Sequence, residues 1–127
     1  MANRISLVVD DDADVRKFIS ATLQREDFQT VEAEDGAQAL RIVRELGEDV
    51  ALIVSDIQMP NGDGLTFARA VNKAYPAVPI ILVSGCSEPS AEFDYFLRKP
   101  FPASVLLEAV RSLVADELTA VPVGDKR

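Results

Sequence analysis

The chain has 127 residues, enough for one domain with its own core, and its 48% hydrophobic and 27% charged content matches ordinary globular proteins rather than disordered or fibrous ones. A net charge of -8 disfavours nucleic acid or an anionic membrane surface as a direct partner and favours a cation or a basic protein patch. No histidine is present, which removes imidazole triads and histidine-bearing zinc sites, and a single cysteine cannot close an internal disulfide.

Ile5 to Val9 is a short apolar, β-branched run that ends in Asp10-Asp11-Asp12, so it reads as a strand with acids at its carboxyl end. From Asp14 the period becomes helical, with Val15, Phe18, Ile19, Thr22 and Leu23 forming a stripe to about Glu26. Phe28 to Ala33 is a half-polar strand, and its Thr30 and Glu32 predict an edge position with one wet face. Asp35-Gly36 opens a second helix on Ala39, Ile42, Val43 and Leu46, which Gly47 stops. Val50 to Ser55 is apolar nearly throughout, as in a strand covered on both faces, and runs into Asp56 and the turn-rich Ile-Gln-Met-Pro-Asn-Gly-Asp-Gly.

Phe67, Ala70, Val71 and Ala74 mark a third helix, ended by Pro76 and Pro79. Ile80 to Ser84 and Asp94 to Arg98 read as the fourth and fifth strands, the latter leading into Lys99-Pro100-Phe101, and Pro102 begins a last helix on Leu106, Ala109, Val110 and Leu113. The expected domain spans 1–118, with 119–127 an aperiodic, flexible tail. Nine residues, including Pro89, separate Ser84 from Asp94, whereas a typical helix alone takes about 11, so the fourth crossover is predicted as a loop or at most one turn. No stretch has the pattern of a signal peptide or the length of a membrane span, and the expected setting is cytoplasmic.

Alternating strands and helices imply right-handed crossovers and a doubly wound α/β sheet, in which chemistry gathers beyond the carboxyl ends of the strands. That geometry brings Asp10 and Asp11, Asp56, Ser84 and Lys99 together. Clustered carboxylates repel unless they share a proton or a cation, and hard oxygen donors in an incomplete shell suit Mg²⁺. A lysine and a hydroxyl supply what a phosphoryl group needs, and a carboxylate opposite them can act as a nucleophile.

Val-Val-Asp-Asp-Asp, Ser-Asp-Ile-Gln-Met-Pro-Asn-Gly-Asp-Gly, Leu-Val-Ser-Gly and Lys-Pro-Phe, in this order, resemble the receiver domains of two-component response regulators, over nearly the whole chain. The resemblance implies a flavodoxin-like five-stranded sheet of order 2-1-3-4-5, here with the fourth helix shortened or absent. It implies that Asp56 is the phosphoacceptor, that Asp11, Asp56 and the Gln58 carbonyl ligate Mg²⁺, and that Asp10 acts mainly through a metal-bound water. It makes Ser84 the switch hydroxyl, Lys99 the lysine that pairs with the phosphoryl group, Phe96 the switch aromatic, and Lys99-Pro100 a cis bond. The donor would be a sensor histidine kinase or histidine phosphotransfer protein, and helix one, with Arg16 and Lys17, would offer its docking face.

Plainer readings stand beside these. Asp12 and Asp14 fit a solvated helix start, Phe96 a core aromatic, Cys86 a small packed residue, and Asn61 to Gly64 turn chemistry. Two other function classes compete: a pseudo-receiver that binds partners without phosphorylation, and an Asp-based phosphatase, since Asp12-Ala-Asp14-Val resembles the aspartate motif of haloacid dehalogenase-type enzymes. Ordering of residues 85 to 93 on phosphorylation is the expected switch.

Overall fold

The computed structural model describes residues 4–59, 64–85, 93 and 95–120, with 114–120 described by backbone alone. Strands β1 (Arg4–Val9), β2 (Phe28–Ala33), β3 (Val50–Asp56), β4 (Ile80–Ser84) and β5 (Tyr95–Arg98) pair in parallel as one sheet, in the order β2-β1-β3-β4-β5. Helices α1 (Ala13–Gln24), α2 (Gly36–Leu46), α3 (Gly64–Ala74) and α4 (Ala103–Ala120) complete it. This is the doubly wound fold that the alternating pattern predicts, with the flavodoxin-like strand order that the resemblance implies.

The strand period of two sorts the core into two layers. Leu7, Val9, Ile53 and Leu82 pack with Ala39 and Val43 of α2 and Phe67 and Val71 of α3. Val8, Leu52, Val54 and Ile81 face the other way, onto Ile19 and Leu23 of α1 and Leu106 and Val110 of α4. Because both faces are covered, β3 is buried at every residue except half-buried Ala51, which is why its sequence is continuously apolar rather than alternating.

The helix ends follow the local signals. Asp12 caps α1 by accepting the Asp14 N–H at 2.9 Å, and Asp35 caps α2 by accepting the Gln38 N–H at 2.8 Å. Gly47 closes α2 at a φ of 56°, a region that favours glycine, and its N–H returns to the Val43 carbonyl.

Three details differ from the sequence reading. Phe18 is not in the buried stripe of α1: it is 41% exposed and tilts against Phe101, ring centroids 6.1 Å apart, on the rim of the site. In α3 the buried stripe is Gly64, Phe67, Ala68 and Val71, at i, i+3, i+4 and i+7, so Ala68 is buried while Ala74, beyond the stripe, is exposed. The helix α4 continues to Ala120, two residues into the stretch read as tail. Residues 86–92 of the fourth crossover, Cys86 among them, lie outside the described residues, as do Asn61 and Asp94, and β5 is described from Tyr95. Among the described residues, no helix is long and apolar enough to cross a membrane.

Candidate functional site

Adjacent strand ends place the acids. Val9 of β1 is in register with Ser55 of β3, so Asp10 and Asp56 leave neighbouring strands at the same level. Both are buried, at 0% and 5% exposure, whereas Asp11, one step beyond, is exposed. One carboxylate oxygen from each of Asp10, Asp11 and Asp56 lies within 4.8 Å of the others.

Lys99 joins this group from β5. Its Nζ stands 2.8 Å from Asp10 Oδ2 and 3.2 Å from Asp56 Oδ2, while its own N–H donates to the Ser84 carbonyl at 2.9 Å. The Lys99-Pro100 bond is cis. The remaining oxygens of the two buried acids are held by backbone: Asp12 N–H donates to Asp10 Oδ1 at 2.9 Å, and Gln58 N–H to Asp56 Oδ1 at 3.2 Å. Burial raises the Asp56 carboxyl above its ordinary value; the Lys99 charge opposes this, the Asp10 charge adds to it, and the Gln58 N–H opposes it again. Burial alone would lower Lys99, but its hydrogen bond to Asp10 and the charges of Asp10 and Asp56 outweigh that and raise it.

The donor set fits a hard divalent cation. Three carboxylates and one ammonium leave two negative charges at the site, and the oxygens converge from two rigid strand ends. Ser84 is fully buried at the end of β4, one position beyond Val83, the register partner of Asp56. Gln58 keeps its side chain exposed. Phe96 is half-buried against the α2–α3 layer, with the Arg98 guanidinium 5.9 Å from its ring centroid, so in this conformation it packs as an edge of the core.

Asp12 sits on the solvent side as the α1 cap rather than at a strand end, which removes the geometry an Asp12-centred phosphatase needs. Arg16 departs from its expected place on an open docking face. Its Nη1 donates to the Asp10 carbonyl at 2.7 Å and its Nε pairs with Glu32 Oε1 at 3.0 Å, leaving its side chain 13% exposed, while Lys17 stays exposed. Beside the acids, Asp14, Val15, Phe18, Lys99, Pro100 and Phe101 line a mainly apolar groove of about 260 Å³.

Sequence reasoning missed the part played by Gly64. Its N–H donates to the Ile57 carbonyl at 2.7 Å, and a Cβ there would fall 1.8 Å from the Asp56 carbonyl oxygen, so glycine is needed for α3 to dock against the end of β3. The glycine visible in the loop gave the signal, but it marks a close approach rather than a turn.

The family model for the response regulator receiver domain matches residues 6–111. The chain belongs to the receiver family. It is 37% identical over 118 residues to the chemotaxis protein CheY of Bacillus subtilis, covering 87% of this chain and 96% of that one. It is also 36% identical over 116 residues to the sensor kinase CckA of Brucella abortus, covering 85% of this chain but only 12% of the kinase. The DNA-binding response regulator MtrA of Mycobacterium leprae is 34% identical, and the chain spans 51% of its length. Among solved structures, CheY4 of Vibrio cholerae superposes with a TM-score of 0.78 at 28% identity, covering 88% of this chain and 99% of that one. The Thermotoga maritima response regulator TrrA, in complex with Mg²⁺ and BeF, superposes with a TM-score of 0.78 at 30% identity, over 87% and 98% of the two chains. This chain is therefore a receiver domain of two-component signalling.

Proposed function

We propose that this receiver takes a phosphoryl group from the phosphohistidine of a sensor histidine kinase or histidine phosphotransfer protein onto Asp56, and that the modified site changes the conformation of its surroundings. The placement of Asp56 carries the reading: its carboxylate lies at the end of the central strand, one oxygen on the Lys99 ammonium and the other on the Gln58 N–H, beside the acids of β1. In the transfer an Asp56 oxygen bonds to phosphorus, the P–N bond breaks and the imidazole departs with that electron pair. Asp11, Asp56 and the Gln58 carbonyl would hold Mg²⁺, with Asp10 acting through a bound water, and the ion would offset phosphoryl-oxygen charge during transfer.

Lys99 reaches the same region from β5 and would pair with a phosphoryl oxygen while keeping its bond to Asp10. Ser84, at the end of β4, would supply the hydroxyl that closes on another, with half-buried Phe96 following on the same side of the sheet. The groove beside Phe18 and Phe101 would be the entry for the donor, and Lys17 is an exposed cation on the same helix, α1. A cytoplasmic phosphorelay suits these parts. The intact set of Asp10, Asp11, Asp56, Ser84 and Lys99 favours this over a phosphorylation-independent pseudo-receiver.

Treatment with phosphoramidate and MgCl₂ tests the reading. The parent is expected to gain one phosphoryl group by intact mass and Asp56→Asn none, because the amide keeps the shape but lacks the attacking carboxylate. Incorporation by Asp56→Asn at the parent rate would overturn it.

A further inference from the structure

We propose that Arg16 is a positioning residue for Asp11, an inference that rests on reading Asp10, Asp11 and Asp56 as a divalent-cation site. Two of these acids are held at both oxygens. Asp10 accepts from Asp12 N–H and Lys99, and Asp56 accepts from Gln58 N–H and Lys99. The Asp11 carboxylate is exposed and accepts no hydrogen bond among the described residues, so its direction depends on its backbone.

That backbone lies just past the end of the sheet. The Asp10 N–H makes the last rung to β2, donating to the Ala33 carbonyl at 3.1 Å. The next peptide plane, which joins Asp10 to Asp11, has no strand partner. Its carbonyl instead accepts from Arg16 Nη1 at 2.7 Å, a charge-assisted bond that fixes the plane from which the Asp11 side chain departs.

Arg16 is itself held on its other edge. Its Nε pairs with Glu32 Oε1 at 3.0 Å, and Glu32 Oε2 accepts from the buried Ser20 hydroxyl at 2.9 Å. One planar guanidinium thus spans α1, β2 and the end of β1, with its two donor directions set by the ring of partners. A lysine offers a single flexible ammonium and cannot satisfy the Glu32 carboxylate and the Asp10 carbonyl with the same fixed angle. Ligands oriented from behind in this manner bind metal about 10- to 100-fold more tightly than unsupported ones.

Mg²⁺ titrations followed by amide chemical shifts, at about 0.15 M salt so that surface charge is screened, test the proposal on Arg16→Lys, Glu32→Gln and Asp11→Asn. Melting temperatures in EDTA are measured on the same proteins. Arg16→Lys is expected to raise the Mg²⁺ Kd about tenfold and Glu32→Gln to raise it less, since the latter loosens Arg16 without removing it. A bridge that only fastens α1 to the sheet would lower the metal-free melting temperature and leave the Kd alone. A parent-like Kd in both Arg16→Lys and Glu32→Gln, with Asp11→Asn weakened, overturns the positioning role and leaves the cation site standing. A parent-like Kd in Asp11→Asn overturns the cation site itself. Should Arg16→Lys fail to fold, Glu32→Gln decides alone: a weakened Kd supports the proposal and a parent-like Kd overturns it.

Discussion

At one edge of the sheet β2 pairs with β1 along six residues, and its Glu32 is tied through Arg16 and Ser20 to α1 and to the end of β1. At the other edge β5 has four residues, none of them buried, and among the described residues it pairs with β4 alone. Yet it is the lightly packed edge that carries Lys99 to the acids. Asp10 and Asp56 stand on the well-packed strands and their counter-charge comes from the strand with least burial; under the proposed function, a change of charge at Asp56 would act first on the element that costs least to move. The contrast sets a well-tied edge against a lightly packed one within one small sheet.

The largest effect is expected where the support is tightest. An alanine Cβ at position 64 would meet the Asp56 carbonyl oxygen at 1.8 Å and Ile57 Cα at 2.9 Å, so α3 must lift from the end of β3. Gly64→Ala should cost about 3 kcal/mol in urea unfolding. A parent-like midpoint would show that this side yields more easily than the comparison holds.

Lys99→Met breaks the link between the two sides. Removing the partner of a buried acid costs about 3–5 kcal/mol when the pair is fully enclosed; since the Lys99 side chain is 21% exposed, about 2 kcal/mol is expected at pH 7 in EDTA. The raised pKa of Lys99 fixes the pH dependence. A group whose folded pKa exceeds its unfolded value contributes fully below the unfolded value and loses that contribution as pH rises through the folded one. The parent should therefore shed this stability above its ordinary value of 10.5, and Lys99→Met should lack that alkaline loss. Parallel alkaline profiles for the two proteins would count against the link.

Asp56→Asn should act in the opposite direction. Burial holds the Asp56 carboxyl above 3.8, so the folded chain binds its proton more tightly than the unfolded chain does. That favours folding at low pH and withdraws the benefit as pH rises through the unfolded and then the folded value. At pH 7 without metal the ionised group is a net cost, and Asp56→Asn should melt a few degrees higher, with the gain shrinking as pH falls into the carboxylate range. A lower melting temperature at pH 7 would contradict this.

The smallest effect concerns Ser6, whose hydroxyl is fully buried in β1 without a hydrogen-bond partner among the described residues. Ser6→Ala removes that unpaired group and should leave stability equal or raise it by up to about 1 kcal/mol. A loss of more than that by calorimetry would reveal a role for the hydroxyl in the rigid half.

The strands and the acids at their ends were legible because apolar runs of period two or continuous burial stop abruptly at chemistry: Val9 before Asp10, Ser55 before Asp56, Val83 before Ser84, Arg98 before Lys99. Phe18 was misplaced because helical spacing puts it at the margin of a stripe, and only the position of Phe101, far along the chain, decides which way it packs. The Arg16–Glu32 pair joins a helix to a strand 16 residues away, a contact that no local pattern encodes. Gly64 was visible as a glycine, but the reason for it lies in how closely α3 approaches Asp56, which depends on three-dimensional packing. The difference between Asp10, buried, and Asp11, exposed, likewise follows from where the strand ends rather than from residue type.

The central claim is that Asp56 receives the phosphoryl group, and reductive trapping reads it directly. The protein is incubated with acetyl phosphate and MgCl₂, treated with borohydride, digested and sequenced by mass spectrometry, so that an acyl phosphate on aspartate is converted to homoserine. The account predicts homoserine at position 56 and at no other aspartate, and none when Mg²⁺ is replaced by EDTA. Homoserine at Asp10 or Asp11, or phosphate retained on Ser84 with position 56 unmodified, would contradict it.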